Sequence, residues 1–333
     1  MTLELALPRR VGSTGSKCHV SDRLGNGEVD FSRDTVEQLI ATGEFFWLDL
    51  YRPKTADFEI LREVFGFHPL AVEESELFDQ RAKIDEYDDF VFFVVYGATP
   101  DANRLVEVHC FYSDRCLVTV HRDDCPAFDE LRRRYDGRDA TAKPSRLIYR
   151  VLEALTNSFF PILSSFDDRI DELEDQVFMH ASDDQLQEIF RMKRLLVGMR
   201  KAVTPQRDAF AGLAGRLAEL PGFDREDEHY FRDIYDHLIR ISDLIDSYRD
   251  LLTSAMDVYL SIVSNRLNAV MKQLTVIATV FLPLTFITGF FGQNFGWLTG
   301  HVGHWGAFVG LGIGTELLAV AVLFALFKRR GWF

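Results

Sequence analysis

The chain has 333 residues, of which 47% are hydrophobic and 26% charged, and its formal net charge is −14. It is long enough for a sizeable core in one or two domains. Its acidic balance argues against a nucleic-acid partner, which asks for a basic face.

Residues 1–25 mix glycine, serine, basic and polar side chains and read as a loose leader. Met1–Arg10 has no apolar run after its first charges, so no signal peptide is expected. Helical patterns follow at Ser32–Thr42 and Ala56–Phe65. Phe45–Tyr51, Phe90–Tyr96, Leu105–Tyr112 and Cys116–His121 read as strands, the last two joined by a hairpin turn at Ser113-Asp114-Arg115. Pro126–Tyr135 reads as a helix with a solvated basic face of Arg132, Arg133 and Arg134. The four cysteines, Cys18, Cys110, Cys116 and Cys125, match no metal or redox spacing and are expected as free thiols of the cytosol.

From Ser145 onward the strands stop. Residues 145–178 carry helix-period apolar positions, with a kink expected at Pro161. Ser182-Asp183-Asp184-Gln185 resembles a capping box opening a helix to about Leu217, with Pro205 as a second kink. Pro221-Gly222 then breaks the chain. Beyond it, Ile234, Leu238, Ile241, Ile245, Tyr248, Leu252, Ala255, Tyr259 and Ile262 keep a 4-3-4-3 spacing, as a coiled-coil-like bundle does. Residues 226–291 would make a rod of roughly 100 Å. Its apolar seam asks for partners, and self-association around an axis is the simplest supply.

The rod runs into a charge-free stretch: no Asp, Glu, Lys or Arg lies between Lys272 and Glu316. Two spans, from about Leu274 to about Phe295 and from about Trp305 to about Phe327, approach the ~20 apolar residues a membrane helix needs. Lys272 precedes the first span, Lys328-Arg329-Arg330 follows the second, and the connection has no Lys or Arg, so both termini are expected in the cytoplasm. Thr275, Thr279, Thr285 and Thr288 stud span one around Pro283. Such threonines either bond back to their own helix or line a pore. Span one ends at Gly292-Gln293-Asn294. There glycine lets carbonyls reach a narrow mouth, and the asparagine amide offers a hard, neutral ligand. Mg²⁺ prefers oxygen and dehydrates reluctantly, so a ring of such oxygens suits the hydrated ion.

Asp257-Val258-Tyr259-Leu260, Met271-Lys272 and the string from Leu274 to Gly289 closely resemble the CorA family of divalent-cation channels, which also includes the ZntB branch. Tyr230-Phe231-Arg232-Asp233, His68-Pro69-Leu70 and the closing Lys328-Arg329-Arg330-Gly331-Trp332 extend the likeness to most of the chain from about residue 45. The resemblance implies an α+β cytosolic domain, then long stalk helices and a two-helix transmembrane hairpin, assembled as a pentameric funnel-shaped channel in the cell membrane. Its divisions fall at residues 1–142 (α/β domain), 143–223 (helical region), 224–295 (stalk and span one), 296–304 (outer loop), 305–327 (span two) and 328–333 (basic tail).

The implied function is Mg²⁺ uptake, with Co²⁺ or Ni²⁺ also carried, gated by cytosolic Mg²⁺. Gly292, Gln293 and Asn294 match the selectivity motif. Asn268, Leu274, Leu282 and Thr285 match pore-lining positions, the leucines forming the constriction, and Asp257 matches an acid at the cytosolic entrance. Glu74, with Asp233 of a neighbouring subunit, resembles the regulatory Mg²⁺ site. The motif's middle residue, usually Met in magnesium members, is Gln293 here. The outer loop lacks an acid and holds His301 and His304, whose spacing suits interfacial residues or a weak Zn²⁺ or Ni²⁺ contact.

Glu316, inside span two, is either a neutral acid bonded to a neighbouring helix or a proton-coupling group. A ZntB-like zinc transporter, with or without the proton coupling of that branch, and a non-conducting ion-sensing scaffold are the alternative functions. No P-loop and no nucleophile–base pattern points to an enzyme.

Overall fold

The four apolar runs read as strands sit together in one seven-stranded mixed sheet in the computed structural model of the chain. The structure describes residues 17–22, 25–100, 104–133, 143–293 and 296–330. Strands β1 (Lys17–Asp22), β2 (Gly25–Val29), β3 (Phe46–Tyr51), β4 (Lys83–Glu86), β5 (Val91–Ala98), β6 (Leu105–Tyr112) and β7 (Cys116–His121) take the order β2-β1-β3-β7-β6-β5-β4. Every pairing is antiparallel except β3 with β7. A parallel pair needs a crossover. Here the chain leaves β3 through helices α2 (Thr55–Glu63) and α3 (Pro69–Leu77) to the far edge, then returns by hairpins.

Side chains alternate across the pleat, and both faces are covered, which is why β6 and β7 are apolar almost throughout. Phe46, Leu48, Phe92, Phe111 and Val118 face α1 (Arg33–Ala41), α2 and α3, meeting Val36, Leu39, Leu61 and Val72. Trp47, Phe93, Val108 and Tyr112 face the later helices. These are α4 (Pro126–Arg133), α5 (Pro144–Asn157), α6 (Phe159–Met179) and α7 (Asp183–Ala211), followed by α8 (Glu228–Phe291).

Several expectations need correction. Lys17–Asp22 is not part of a loose leader: it pairs with both β2 and β3, and its Cys18 and Val20 are buried. Two inward apolar residues among polar ones are too short a signal to read as a strand, and pairing supplies the rest. The helix expected to kink at Pro161 is interrupted three residues earlier, at Ser158. The helix stops at Asn157 and a new one starts at Phe159, so Pro161 sits in a first turn, where a missing N–H costs nothing. Ser158 at the join accepts the Ala98 N–H at 2.7 Å. The capping box at Ser182 forms, with Ser182 N–H donating to Gln185 at 2.9 Å, and Pro205 lies within the helix it opens.

The seam of α8 has a different partner from the one expected. Ile234, Leu238, Ile241, Ile245, Tyr248, Leu252 and Ala255 all lie in one core with Leu152, Leu163 and Leu196 of the same chain. Self-association is not needed to cover them.

The chain divides into two compact units, Met1–Met256 and Asp257–Phe333. In the second, α8 continues to Phe291, a short helix α9 (Gly296–Val302) follows, and α10 (Trp305–Arg329) closes the chain. The end of α8 and the whole of α10 are long and apolar enough to cross a membrane. Residues Phe308–Ile313 of α10 wind as a π-helix.

Candidate ion path and regulatory acids

Span one carries most of its candidate residues on one helix, which ends at Phe291, just before Gly292 and Gln293. At about 100° per residue, Asp257, Asn268 and Leu282 fall within about 40° of one another on an ideal helix. Leu274 and Thr285 form one flank of the same band. Every one of these residues is exposed in a single chain, Leu274 at 59% and Leu282 at 72%. Asn294 lies outside the described residues.

The threonines bond back to their helix. Thr275, Thr279 and Thr285 donate to the carbonyls of Met271, Thr275 and Phe281 at 2.7, 2.7 and 2.8 Å. A hydroxyl has one hydrogen, so each of these turns only lone pairs outward. That is the polarity a cation asks for. Thr288 is different: its Oγ1 lies 2.7 Å from the Leu284 carbonyl and 2.8 Å from Glu316 Oε1 on α10. Glu316 is therefore bonded to the neighbouring helix of its own chain.

At the end of span one the helix tightens. Gly292 N–H still reaches Thr288 O at 2.9 Å, while Gln293 N–H turns to Phe290 O at 3.3 Å. Gln293 borders a cleft of about 230 Å³ whose lining includes Phe291, Leu298, Thr299, Val302 and Phe308. His301 Nδ1 is 2.9 Å from Trp297 O and its ring stacks on Trp297 at 4.7 Å, whereas His304 caps α10. Among the described residues no group of three or more His, Cys, Asp or Glu is arranged to hold a metal.

Within one chain no hydrogen bond or ion pair joins Glu74 to Asp233 among the described residues. Glu74, on α3, binds the Lys83 ammonium at 2.8 and 2.7 Å, and Lys83 also meets Asp85 at 2.6 Å. Burial disfavours the Lys83 charge, but its hydrogen bonds to Asp85 and Glu74 raise its pKa overall. Asp233, on α8, accepts from Tyr149 Oη at 3.2 Å and lies 3.9 Å from His237.

Two buried polar groups escape sequence reasoning. In the first, Asp49 is 1% exposed and accepts from Thr119 at 2.5 Å, with His121 at 3.2 Å and Arg132 in direct contact. Arg132 is thus no part of a solvated basic face, and Arg134 lies outside the described residues. In the second, His109 bonds Ser75 at 2.8 Å and Glu107 at 2.7 Å. Glu107 also accepts the Asp79 and Gln80 N–H groups at 2.7 and 2.9 Å, in a turn where Phe78 and Asp79 both have a φ of +56°. Burial works against the Glu107 charge, but these hydrogen bonds hold it below the usual carboxylate range. The Ser-His-Glu order is that of a hydrolytic triad. Ser75 and His109 are wholly buried, however, and the Ser75 hydroxyl lies 3.0 Å from the Ala71 carbonyl as a donor, so the group fastens α3 to the sheet. A lone His or Asp inside an apolar strand is the signal that marks both groups.

All four cysteines are free and buried. Burial pushes Cys116 up to about 11 and Cys125 up to about 12, away from thiolate chemistry.

Comparison with known proteins matches residues 42–329 to the family model described as CorA-like Mg²⁺ transporter protein. The chain is 34% identical over 277 residues to the cobalt/magnesium transport protein CorA of Thermotoga maritima, covering 81% of this chain and 78% of that one. It is 27% identical over 204 residues, 61% of either chain, to the zinc transport protein ZntB of Pectobacterium atrosepticum. Its fold matches the complete CorA magnesium transporter of Methanocaldococcus jannaschii with a TM-score of 0.77 at 23% identity, over 97% of this chain and 100% of the other.

Proposed function

The chain belongs to the CorA family of metal ion transporters, and from that premise we propose that it is a homopentameric channel admitting Mg²⁺ to the cytosol. The observation that carries the proposal is the band on span one. Exposed Asp257, Asn268 and Leu282 share one side of a helix whose neighbouring threonines turn lone pairs outward, and Gly292 and Gln293 follow directly at its end. Five such helices around an axis give a path lined by neutral oxygen and leucine. Hydrated Mg²⁺ is held at the mouth by Gly292, Gln293 and Asn294, because amide oxygens accept from its water shell without stripping it. Leu282 and Leu274 form rings that dewet the path when it is narrow. Asp257 gathers cations at the inner end. Both termini lie in the cytoplasm, as the positive residues flanking the spans indicate.

Glu74 and a neighbouring subunit's copy of Asp233 form the regulatory site. The occupied Glu74 makes the exchange explicit: an arriving Mg²⁺ displaces the Lys83 ammonium from its partly exposed pair with Glu74. High cytosolic Mg²⁺ then draws subunits together and closes the path.

Zinc transport is the second reading, favoured by the ZntB likeness and by Gln293 in place of Met. Co²⁺ and Ni²⁺ fit the same oxygen-lined path. One experiment separates the readings: flux of Mg²⁺ and of Zn²⁺ into liposomes holding the full-length protein, with and without a proton gradient. Mg²⁺ flux without the gradient, abolished by Asn294→Ala in an intact oligomer, supports the channel. Gradient-dependent Zn²⁺ flux alone supports the second reading. No flux of either ion leaves a membrane-tethered scaffold.

A further inference from the structure

The Thr288 hydroxyl has two acceptors within reach and one hydrogen to give. Leu284 O lies at 2.7 Å and Glu316 Oε1 at 2.8 Å, both hydrogen-bonding distances. An ionised carboxylate only accepts, so with Glu316 charged the single Thr288 hydrogen would have to be divided between two acceptors. Each contact is a full two-centre hydrogen bond when the second hydrogen comes from Glu316 itself. The carboxylic acid then donates to Thr288 Oγ1, and Thr288 donates to the Leu284 carbonyl.

Three further features agree. Glu316 is the sole acid between Lys272 and the end of the chain, and no other titratable or charged side chain occurs from Gln273 to Phe291 or from Trp305 to Phe327. No cation therefore faces it from either helix, and a charge there would stand alone in hydrocarbon, which is costly. Thr288 sits about 120–160° around the helix from Asp257, Asn268 and Leu282. Its hydroxyl serves the contact between spans and not the ion path. Finally, the π-helical segment Phe308–Ile313 ends two residues before Thr315-Glu316. The extra residue of a π turn rotates the face that follows it, and such turns recur at functional positions.

We propose that Glu316 is a proton-binding site of the membrane segment, whose neutral form ties span two to span one through Thr288, one turn before Gly292. Loss of the proton leaves the carboxylate as a pure acceptor. It then takes the Thr288 hydrogen, and the Leu284 carbonyl loses that partner. The protonation state of span two is in this way written into the hydrogen bonding of span one next to the mouth.

Infrared difference spectra test the site directly, on the full-length protein in lipid vesicles at neutral pH. The wild type minus Glu316→Gln difference should contain the carbonyl stretch of a protonated carboxylic acid. The same band should shift in Thr288→Val, which removes its partner but keeps the helix shape. A carboxylate stretch in place of the acid band overturns the assignment, as does a band unmoved by Thr288→Val. The consequence is tested by flux of Mg²⁺ as pH is stepped, and this arm alone rests on the transport reading above. Glu316→Gln keeps a hydrogen-bond donor toward Thr288 and cannot titrate. His301 and His304 are unchanged in it, so the pH dependence it loses belongs to Glu316. A Gln variant with the wild-type pH profile overturns the link to the mouth. A wild type without flux refutes the transport reading and leaves the spectra to decide the site.

Discussion

Replacing Asp49 by Asn should be among the most damaging conservative changes in the soluble unit. The carboxylate is 1% exposed and faces three partners: Thr119 at 2.5 Å, His121 at 3.2 Å and Arg132. Asparagine keeps the shape and a bond to Thr119 but removes the charge. The buried His121 then loses its counter-ion, and Arg132, 15% exposed, is left with the exposed Asp129 at 2.9 Å. Breaking a buried ion pair from one side costs about 3–5 kcal/mol. At roughly 2–4 °C per kcal/mol for a unit of this size, the melting temperature should fall by about 6–20 °C.

The pH dependence has a defined sign. Burial raises the Asp49 pKa, but His121 and Arg132 lower it overall, so its contribution is present above the usual carboxylate range and lost as pH falls through the depressed value. Burial lowers the His121 pKa, but Asp49 raises it overall, so its contribution is complete below about pH 6.5 and lost as pH rises through the elevated value. Wild-type stability from this group should therefore be greatest between about pH 4 and 6.5, and Asp49→Asn should flatten both slopes. Thermal unfolding followed by tryptophan fluorescence is suited to the question, because Trp47 donates to Thr119 at 3.0 Å. A variant melting within about 2 °C of wild type, well inside the fall worked out above, would refute the reasoning.

Leu282→Asp or Leu282→Gly should make conduction less dependent on gating, because a polar or absent side chain no longer dewets the path; patch recordings with unchanged Mg²⁺ inhibition would move Leu282 out of the constriction. Glu74→Ala combined with Asp233→Ala should assemble normally yet lose much of the Mg²⁺-dependent protection of the soluble unit from protease. Protection titrating as in wild type would make both residues ordinary surface acids. Gly222→Ala should cost about 1–3 kcal/mol in denaturant unfolding. Gly222 has a φ of +78°, and a Cβ there would come 3.0 Å from Tyr112. A wild-type midpoint would show that the turn rearranges freely.

What the sequence reveals depends on how local the cause is. The strands Phe46–Tyr51, Leu105–Tyr112 and Cys116–His121 are legible because each carries its own apolar run. Lys83–Glu86 holds one apolar residue, Ile84, and is a strand only because Val91–Val94 pairs with it. The seam from Ile234 to Ala255 is plain in the periodicity, but its partner is not. Periodicity tells that a face is buried, while α5, α6 and α7 decide that the chain itself buries it. The same holds for the membrane segment. The charge-free stretch, the proline and the threonines are visible in order, whereas the Thr288–Glu316 contact spans 28 residues and follows from how two helices meet. Arg132 shows the limit most clearly, since its two arginine neighbours suggest solvent and its partner, Asp49, lies 83 positions earlier.

The continuity of α8 has a consequence for biosynthesis. The last residue it gives to the sheet's core is Ala255, and the apolar run of span one opens at Leu274, roughly 20 residues later. Strands, covering helices and the buried half of α8 all precede the first hydrophobic segment in order of synthesis. The soluble unit thus has its complete set of core residues, in a chain that emerges N-terminus first, before the membrane can claim the segment that follows. Delivery to the bilayer therefore acts on a chain whose soluble unit can already be folded. A destabilised core in that unit, as in Asp49→Asn, should show itself in the cell as poor insertion before it shows as poor transport.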